Sequence, residues 1–463
     1  MPSYSLYLFE SVIRLFTEPF HLLFSTWKTA LLMGIITVLC IAQIVSDCHE
    51  KFGKWSALIG LLLCLMLMSE TNLAWYNSLF GEGCVNLGIL LSVTCGIHLA
   101  VHREEKGWKR LLWLIGLAVS LWILLGAKSQ MIAALPFAVL LVLVIAWFHK
   151  PYRYDYQMVY GLCILAAAVL LGFSGLGVYR SERDETSTSQ KSNIWHAYFY
   201  GIFMISDDPI KDMEELGIDT AMAKDIGKYV SFDENADYVY APMSEEAQKA
   251  FYDHVSLTSI VKWYLTHPSK LLYMLDYAAS VSKTLYQDFR VYYGQDYSDP
   301  GHDSVLGFNL WPGWRPVFSP SGFIGYVISY GILLILALRI LFSKKRSDTD
   351  RMLAAVLLFV MFTGILQFPL SVIGNGFADN RKQMIGFMMC HDFILCFVIP
   401  LLLKASSEHP LTIESLRTLK ERVRQRKKKK ESDHEESNGS IRHEAGGDQD
   451  VPAGPRTSQE QIA

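Results

Sequence analysis

The sequence has no Cys-x-x-Cys pair, no phosphate-binding loop of the G-x-x-x-x-G-K-[ST] type, and a formal net charge of only −3 over 463 residues. Each absence removes a class. Eight cysteines are present, but Cys40, Cys64, Cys95, Cys163, Cys390 and Cys396 lie within apolar runs, Cys48 and Cys84 lie at run ends, and the long hydrophilic stretch has none. Neither a disulfide scaffold nor a zinc site is indicated. Nothing signals a nucleotide, since there is also no glycine fingerprint after a strand. No nucleic-acid partner is implied. The amino terminus lacks a basic n-region and a small-residue cleavage site, which argues against a cleaved signal peptide.

What the chain has is apolar length. It is 51% hydrophobic, and its apolar residues fall into blocks of about twenty, the length needed to cross a hydrocarbon core about 30 Å thick. The expected fold class is therefore an all-α polytopic membrane protein with about nine transmembrane helices and a small helical extracytoplasmic domain. Ser5 to Phe24 mixes apolar residues with Glu10, Arg14, Glu18 and His21 and is read as an interfacial amphipathic helix. The expected spans are Thr29–Ser46, Trp55 to near Tyr76, Cys84–Val101, Leu111–Gly126, Ile132–Phe148, Met158–Val178, Ser321–Phe342, Met352–Ile373 and Met384–Leu403. This divides the chain into an interfacial segment (1–28), six spans (29–178), an extracytoplasmic mainly helical domain (179–320), three spans (321–404) and a basic, then disordered tail (405–463).

Basic residues in short loops mark the cytoplasmic side. HREEKGWKR (102–110), HKPYR (149–153), SKKRSDTDR (343–351) and the RQRKKKK run (424–430) agree with one another. They place the tail inside, where it meets anionic lipid, and put the amino terminus, the large loop and the corners at Glu82, Lys128 and Asn375–Lys382 outside. The expected location is the cell membrane, crossed many times. In the large loop, Pro209–Leu216 is expected as a helix capped by Asp208 and ended by Gly217. Other helices are expected at Asn193–Ile205, Glu245–His254, Leu257–Thr266 and Ser269–Tyr286. The aromatic stretch from Gln287 to Pro316 suits either an extended surface that stacks on sugar rings or a loop lying on the membrane interface.

Several residues carry chemistry. Glu82, between Gly81 and Gly83 in WYNSLFGEG (75–83), is an acid that a ligand can approach closely. Lys128, Arg381 and Lys382 stand on the face where basic residues are under-represented; they suggest a bound phosphate, or else ends that snorkel. Glu70 is drawn into a span end and expected to face the bundle, and Asn77 lies in the same corner as Glu82. His391 and Asp392 lie inside the last span, where ionisable groups either serve function or satisfy a hydrogen bond between helices. Glu104 and Glu105, among Arg103, Lys106, Lys109 and Arg110, read as solvated.

Three segments, WYNSLFGEG, LLGAKSQ (124–130) and IGNGFADNRKQMIGFMMCHDF (373–393), resemble corners of bacterial multipass hexosyltransferases of surface-layer and wall glycans, a family of GT-C architecture; NIWHAYFYGIFMISDDPIKDMEELGID (193–219) is similar to theirs as well. The resemblance spans most of Phe24 to Leu403. It implies transfer of a hexose from a polyprenyl-phosphate lipid to a glycan acceptor outside the membrane, often with a divalent cation. Position by position it implies Glu82 as the acidic corner, Lys128 as the basic corner, and Asp379, Lys382 and Asp392 as the polar residues around the last span. Arg381 and Gln383 stand where a small residue and a histidine are expected, and Phe377 where an acid is common. Two other classes stay open: a transporter or flippase of lipid-linked sugar, and a non-catalytic subunit of a glycan assembly machine.

Overall fold

A computed structural model of the chain describes residues 11, 26–78, 80–105, 108–148, 166, 188–230, 237–284 and 309–408. The chain divides into two compact units, Met1–Pro400 and Leu401–Ala463, and the first holds every contact discussed below. Among the described residues there is no strand. Seven helices are long and apolar enough to cross a membrane, and a bent pair makes eight. The expected interfacial helix Ser5–Phe24, the span Met158–Val178 and the tail lie outside the described residues, apart from the isolated Ser11 and Ala166.

The bundle is organised around Glu82–Val101 (α4). Its 18-residue apolar window is 89% buried, against 17% for Gly322–Phe342 (α13), which turns Ile324, Ile328, Ile332 and Ile335 outward as a lipid-facing stripe. Thr26–Phe52 (α1), Trp108–Leu125 (α5) and Asp348–Ile365 (α14) pack around α4. Close approach between membrane helices favours small residues, because lipid tails are as apolar as leucine and contact has to come from packing. Gly88 shows this directly: a Cβ there would sit 2.8 Å from the backbone of Leu124. Ser92 donates to Ser120 across the same interface at 3.0 Å. Gly88→Ala is thus expected to destabilise by about 1–3 kcal/mol through overpacking. Gly374→Ala, with open space at its Cβ, is expected to be neutral or to stabilise by up to about 1 kcal/mol. Thermal unfolding midpoints in detergent check both.

One span is sharply bent, and a second is interrupted without such a bend. Trp55–Leu67 (α2) and Glu70–Tyr76 (α3) meet at 63°, where the sequence led us to expect one straight span. The bend frees the carbonyl of Met66, which accepts from Ser69 Oγ at 2.8 Å and Asn72 Nδ2 at 2.7 Å, so the polar run Ser69–Asn72 caps the helix it interrupts. The interruption lies at Leu366, between α14 and Gln367–Asn375 (α15), within the single span Asp348–Asn375. Pro369 has no N–H to offer the carbonyl four residues before it.

One end of the bundle is tied by ions. Lys51 pairs with Asp350 at 2.5 Å and Arg103 with Asp348 at 2.5 Å, which joins two of the turns expected on a common side to each other and to the end of α1. The described chain leaves at this end, at Phe148, whose ring lies under Arg351. It resumes with Thr188–Ala197 (α7), which packs on α15 at the other end. Ser129–Ala134 is a 3₁₀ turn leading into Leu135–Phe148 (α6).

The segment after α7 is helical. Pro209–Leu216 (α8) has Asp208 as its N-cap, accepting from Lys211 N at 3.1 Å, and ends at Gly217 with φ 77°. Glu245–Ala250 (α9), Leu257–Thr266 (α10) and Pro268–Val281 (α11) follow, α10 with a Ser256–Ser259 capping box. The end of the aromatic stretch departs from both expectations: Leu310–Phe318 (α12) is a helix whose Trp311 and Arg315 are buried. Asn380–Gln383 (α16) and Ile385–Glu408 (α17) complete the described chain.

Candidate functional site

At the end of the bundle away from the Lys51–Asp350 pair, the structure brings Glu82 and Lys128 together. Glu82 is the first residue of α4, where the partial positive charge of a helix N-terminus favours a carboxylate. Lys128, in the extended corner after α5, donates to Glu82 Oε1 at 2.7 Å and to Gln383 Oε1 at 3.2 Å. The Glu82 side chain is 1% exposed and that of Lys128 17%. Burial holds the Lys128 ammonium below the ordinary lysine range, with Glu82 opposing and Lys382 adding to the shift. The flanking glycines serve packing instead of ligand access: a Cβ on Gly81 would strike the Ala127 carbonyl at 2.2 Å, and one on Gly83 the Trp75 carbonyl at 2.8 Å.

The third contribution comes from the turn between α15 and α17, and a distortion in another helix sets its position. Beyond α7 the helix widens into a π turn, Tyr198–Ile202, with Tyr200 at φ −110° and ψ 26°. A π turn leaves carbonyls without their usual i+4 donors. Here Phe199 O accepts from Gly227 N and Tyr200 O from Phe377 N, both at 2.8 Å. Gly376 fits against this surface only as glycine, since it has φ 55° and a Cβ would lie 2.6 Å from the carbonyls of His196 and Tyr200. Next to it His196 donates from Nδ1 to Asn375 Oδ1 at 3.0 Å and accepts at Nε2 from Val230 N at 3.1 Å. That arrangement requires a neutral ring, and burial pushes the His196 pKa down accordingly.

The turn so held presents its charges on two sides. Lys382 lies over the Phe80 ring at 3.8 Å, close to the Glu82 corner, and Gln130 Nε2 donates to the Gln383 carbonyl at 2.9 Å and to Gln367 Oε1 at 2.8 Å. Asp379, with φ 48° the one described non-glycine residue at positive φ, accepts from Tyr229 OH at 3.1 Å. Arg381 acts on the other side, on the Tyr277 phenol, which burial pushes up and Arg381 opposes.

The remaining expected residues lie elsewhere. Glu70 accepts from Asn309 Nδ2 at 3.0 Å, and Asn77 is exposed at the end of α3. His391 is buried among Tyr326, Tyr330 and Phe387. Asp392 forms a buried pair with Arg315, at 2.7 Å. Neither of these two contacts Glu82 or Lys128 among the described residues. Sequence reasoning passed over His196, Tyr229 and Gln130; the only local signal was the Gly-Asn spacing of IGNGFADN, which marks a turn without naming what holds it.

The donor set at this end does not suit a divalent cation. Glu82 already faces an ammonium at 2.7 Å, and the Asp379 carboxylate is turned to Tyr229. What the group offers is an acid and two cations drawn from three turns, suited to an anionic ligand with an exchangeable proton nearby. The sequence model of one family, described as the YfdI N-terminal transmembrane domain, matches residues 4–430. No curated protein and no solved structure matches the chain.

Proposed function

We propose a function from one premise: the chain belongs to the YfdI N-terminal transmembrane domain family and is a multi-pass membrane protein. We read it as a glycosyltransferase that moves a hexose from a polyprenyl-phosphate donor to a cell-surface glycan acceptor on the extracytoplasmic side. The observation behind this is the Glu82–Lys128 pair with Gln383 and Lys382 beside it. A lipid-phosphate sugar needs three things of a protein: a base for the acceptor hydroxyl, cations for the phosphate that leaves, and a place at the membrane end. Glu82 takes the hydroxyl proton as the acceptor oxygen bonds to the sugar's anomeric carbon. The bond from that carbon to the phosphate oxygen breaks, and Lys128 and Lys382 stabilise the charge gathered on the departing phosphate, with Arg381 at the edge of the same turn. In the resting protein Lys128 neutralises Glu82. A phosphate that draws the ammonium away frees the carboxylate to act.

The test reconstitutes the purified full chain in liposomes with a polyprenyl-phosphate hexose and an acceptor lipid. Transfer of labelled hexose supports the proposal. Flipping of the donor without transfer assigns the protein to transport, and neither outcome assigns it to a non-catalytic place in an assembly. Orientation is tested separately: a cysteine at exposed Asn77 is expected to react with an impermeant maleimide added to intact cells, and protection until lysis would reverse the topology.

A further inference from the structure

At the far end of α4 from Glu82, about 24 Å along an axis that rises about 1.5 Å per residue, three donors from two helices face one another. Asp47 comes from the end of α1, His98 from the last turn of α4, and His102 from just beyond it. His98 Nδ1 lies 3.2 Å from both carboxylate oxygens of Asp47, and His102 Nε2 lies 3.0 Å from Oδ1. One ligand atom from each residue falls within 4.8 Å of the others. We propose that Asp47, His98 and His102 form a binding site for a divalent transition cation of the zinc class.

Spacing is the first argument. A tetrahedral zinc with bonds of about 2.0–2.1 Å has ligand–ligand edges of about 3.3 Å; the two edges that meet at Asp47 Oδ1 are 3.2 Å from His98 and 3.0 Å from His102, and the two histidine nitrogens lie within 4.8 Å of each other. Two histidines four apart project from one side of a helix end, and the aspartate closes the third corner from the neighbouring helix. Its side chain is fully buried.

Orientation is the second. The other nitrogen of His98, Nε2, faces Glu105 Oε2 at 3.5 Å. A carboxylate behind a ligating histidine fixes its tautomer, placing the proton on the outer nitrogen and the lone pair on the inner one. With that proton toward Glu105, His98 Nδ1 and the Asp47 carboxylate are both acceptors; the Gln43 amide bridges them in this structure, and a cation would take its place. Stacking on Trp113, 3.9 Å between centroids, holds the ring in this attitude. Glu105, expected from sequence to be merely solvated, thereby acquires a positioning role. Exposed Glu50, with Oε1 3.7 Å from His102 Nε2, stands beside the group as a fourth candidate ligand.

Neighbouring side chains bear on the site. Gln43 Nε2 reaches Asp47 Oδ1 at 2.8 Å and His98 Nδ1 at 3.2 Å, and this amide has to swing aside for a cation. Lys51 and Arg103, on the adjoining turns, are engaged by Asp350 and Asp348, and buried Arg110 donates from Nη1 to the Glu105 carbonyl at 3.5 Å. Two imidazoles with a carboxylate suit zinc and its neighbours, whereas magnesium and calcium seek oxygen ligands.

The experiment strips the detergent-purified full chain with a chelator and titrates it with Zn²⁺, Co²⁺ or Mg²⁺. The expected result is about one equivalent of zinc retained per chain through desalting, visible absorption from bound Co²⁺, and no displacement by excess Mg²⁺. Glu105→Gln is expected to weaken zinc binding by about 10–100-fold, and His102→Asn, at a side chain 22% exposed, to abolish stoichiometric retention. X-ray absorption at the zinc edge of the unaltered protein is expected to show two imidazoles, which requires no variant to fold. A protein that retains no more zinc than His102→Asn overturns the proposal and leaves the cluster as a hydrogen-bond network; so does a zinc spectrum without imidazole.

Discussion

Glu82→Gln is expected to lower hexose transfer by about 10²–10⁴-fold, the usual contribution of a positioned general base, while the protein remains folded and holds the donor lipid at least as tightly. Glutamine has the volume of glutamate and keeps an oxygen for Lys128 Nζ, now 2.7 Å from Glu82 Oε1. The side chain has 1% exposure, so a smaller replacement would leave a void as well as remove the base. What the amide lacks is the capacity to take a proton. It also lacks the charge that occupies the ammonium, so Lys128 is freer to meet a phosphate. The pair of measurements is informative together: kcat from labelled-hexose transfer, and donor affinity from competition with an unreactive polyprenyl phosphate. A variant that transfers at the parent rate removes Glu82 from the chemistry. One that loses donor binding in proportion to rate makes Glu82 a structural support of the phosphate site.

Much of the scaffold was readable from residues alone, because a run of about twenty apolar residues has few alternatives in a membrane. The caps of α8 were equally readable, since Asp208, Pro209 and Gly217 each act within one turn of their own position. What escaped depends on groups distant in the chain. The bend at Ser69 rests on two side chains finding the Met66 carbonyl, and the π turn at Tyr198–Ile202 on donors from Gly227 and Phe377. His98 and His102 were in plain view, yet one closes an apolar span and the other opens a turn crowded with Arg, Lys and Glu, and their partner Asp47 lies on another helix. The convergence of Lys128 with Glu82 follows from the α4–α5 pairing and no local pattern.

Asp392 carries the second large effect. Asp392→Ala is expected to destabilise the folded protein by about 3–5 kcal/mol, the range for removing one partner of a buried ion pair. Arg315 Nε donates to both carboxylate oxygens, at 2.7 and 2.9 Å, and Trp311 Nε1 donates to Oδ2 at 2.8 Å. Arg315 Nη1 donates to the carbonyl of Ser282, so one guanidinium ties α12 and α17 to the residue that follows α11. With side chains 0% and 1% exposed, deleting the carboxylate leaves a cation with neither water nor counter-charge. Arg315→Met with Asp392→Leu is expected to recover most of the loss, because two apolar groups need no compensation; the double-mutant cycle reads the coupling directly. Asp392→Asn, which keeps an acceptor for Trp311, is expected between the two. Unfolding in detergent measures each of these variants and the two single substitutions of the cycle, and transfer per folded molecule is expected to stay at the parent level. If instead Asp392→Asn folds with parent stability but transfers poorly, the buried acid belongs to the reaction, and its pairing with Arg315 is a resting contact that opens during turnover.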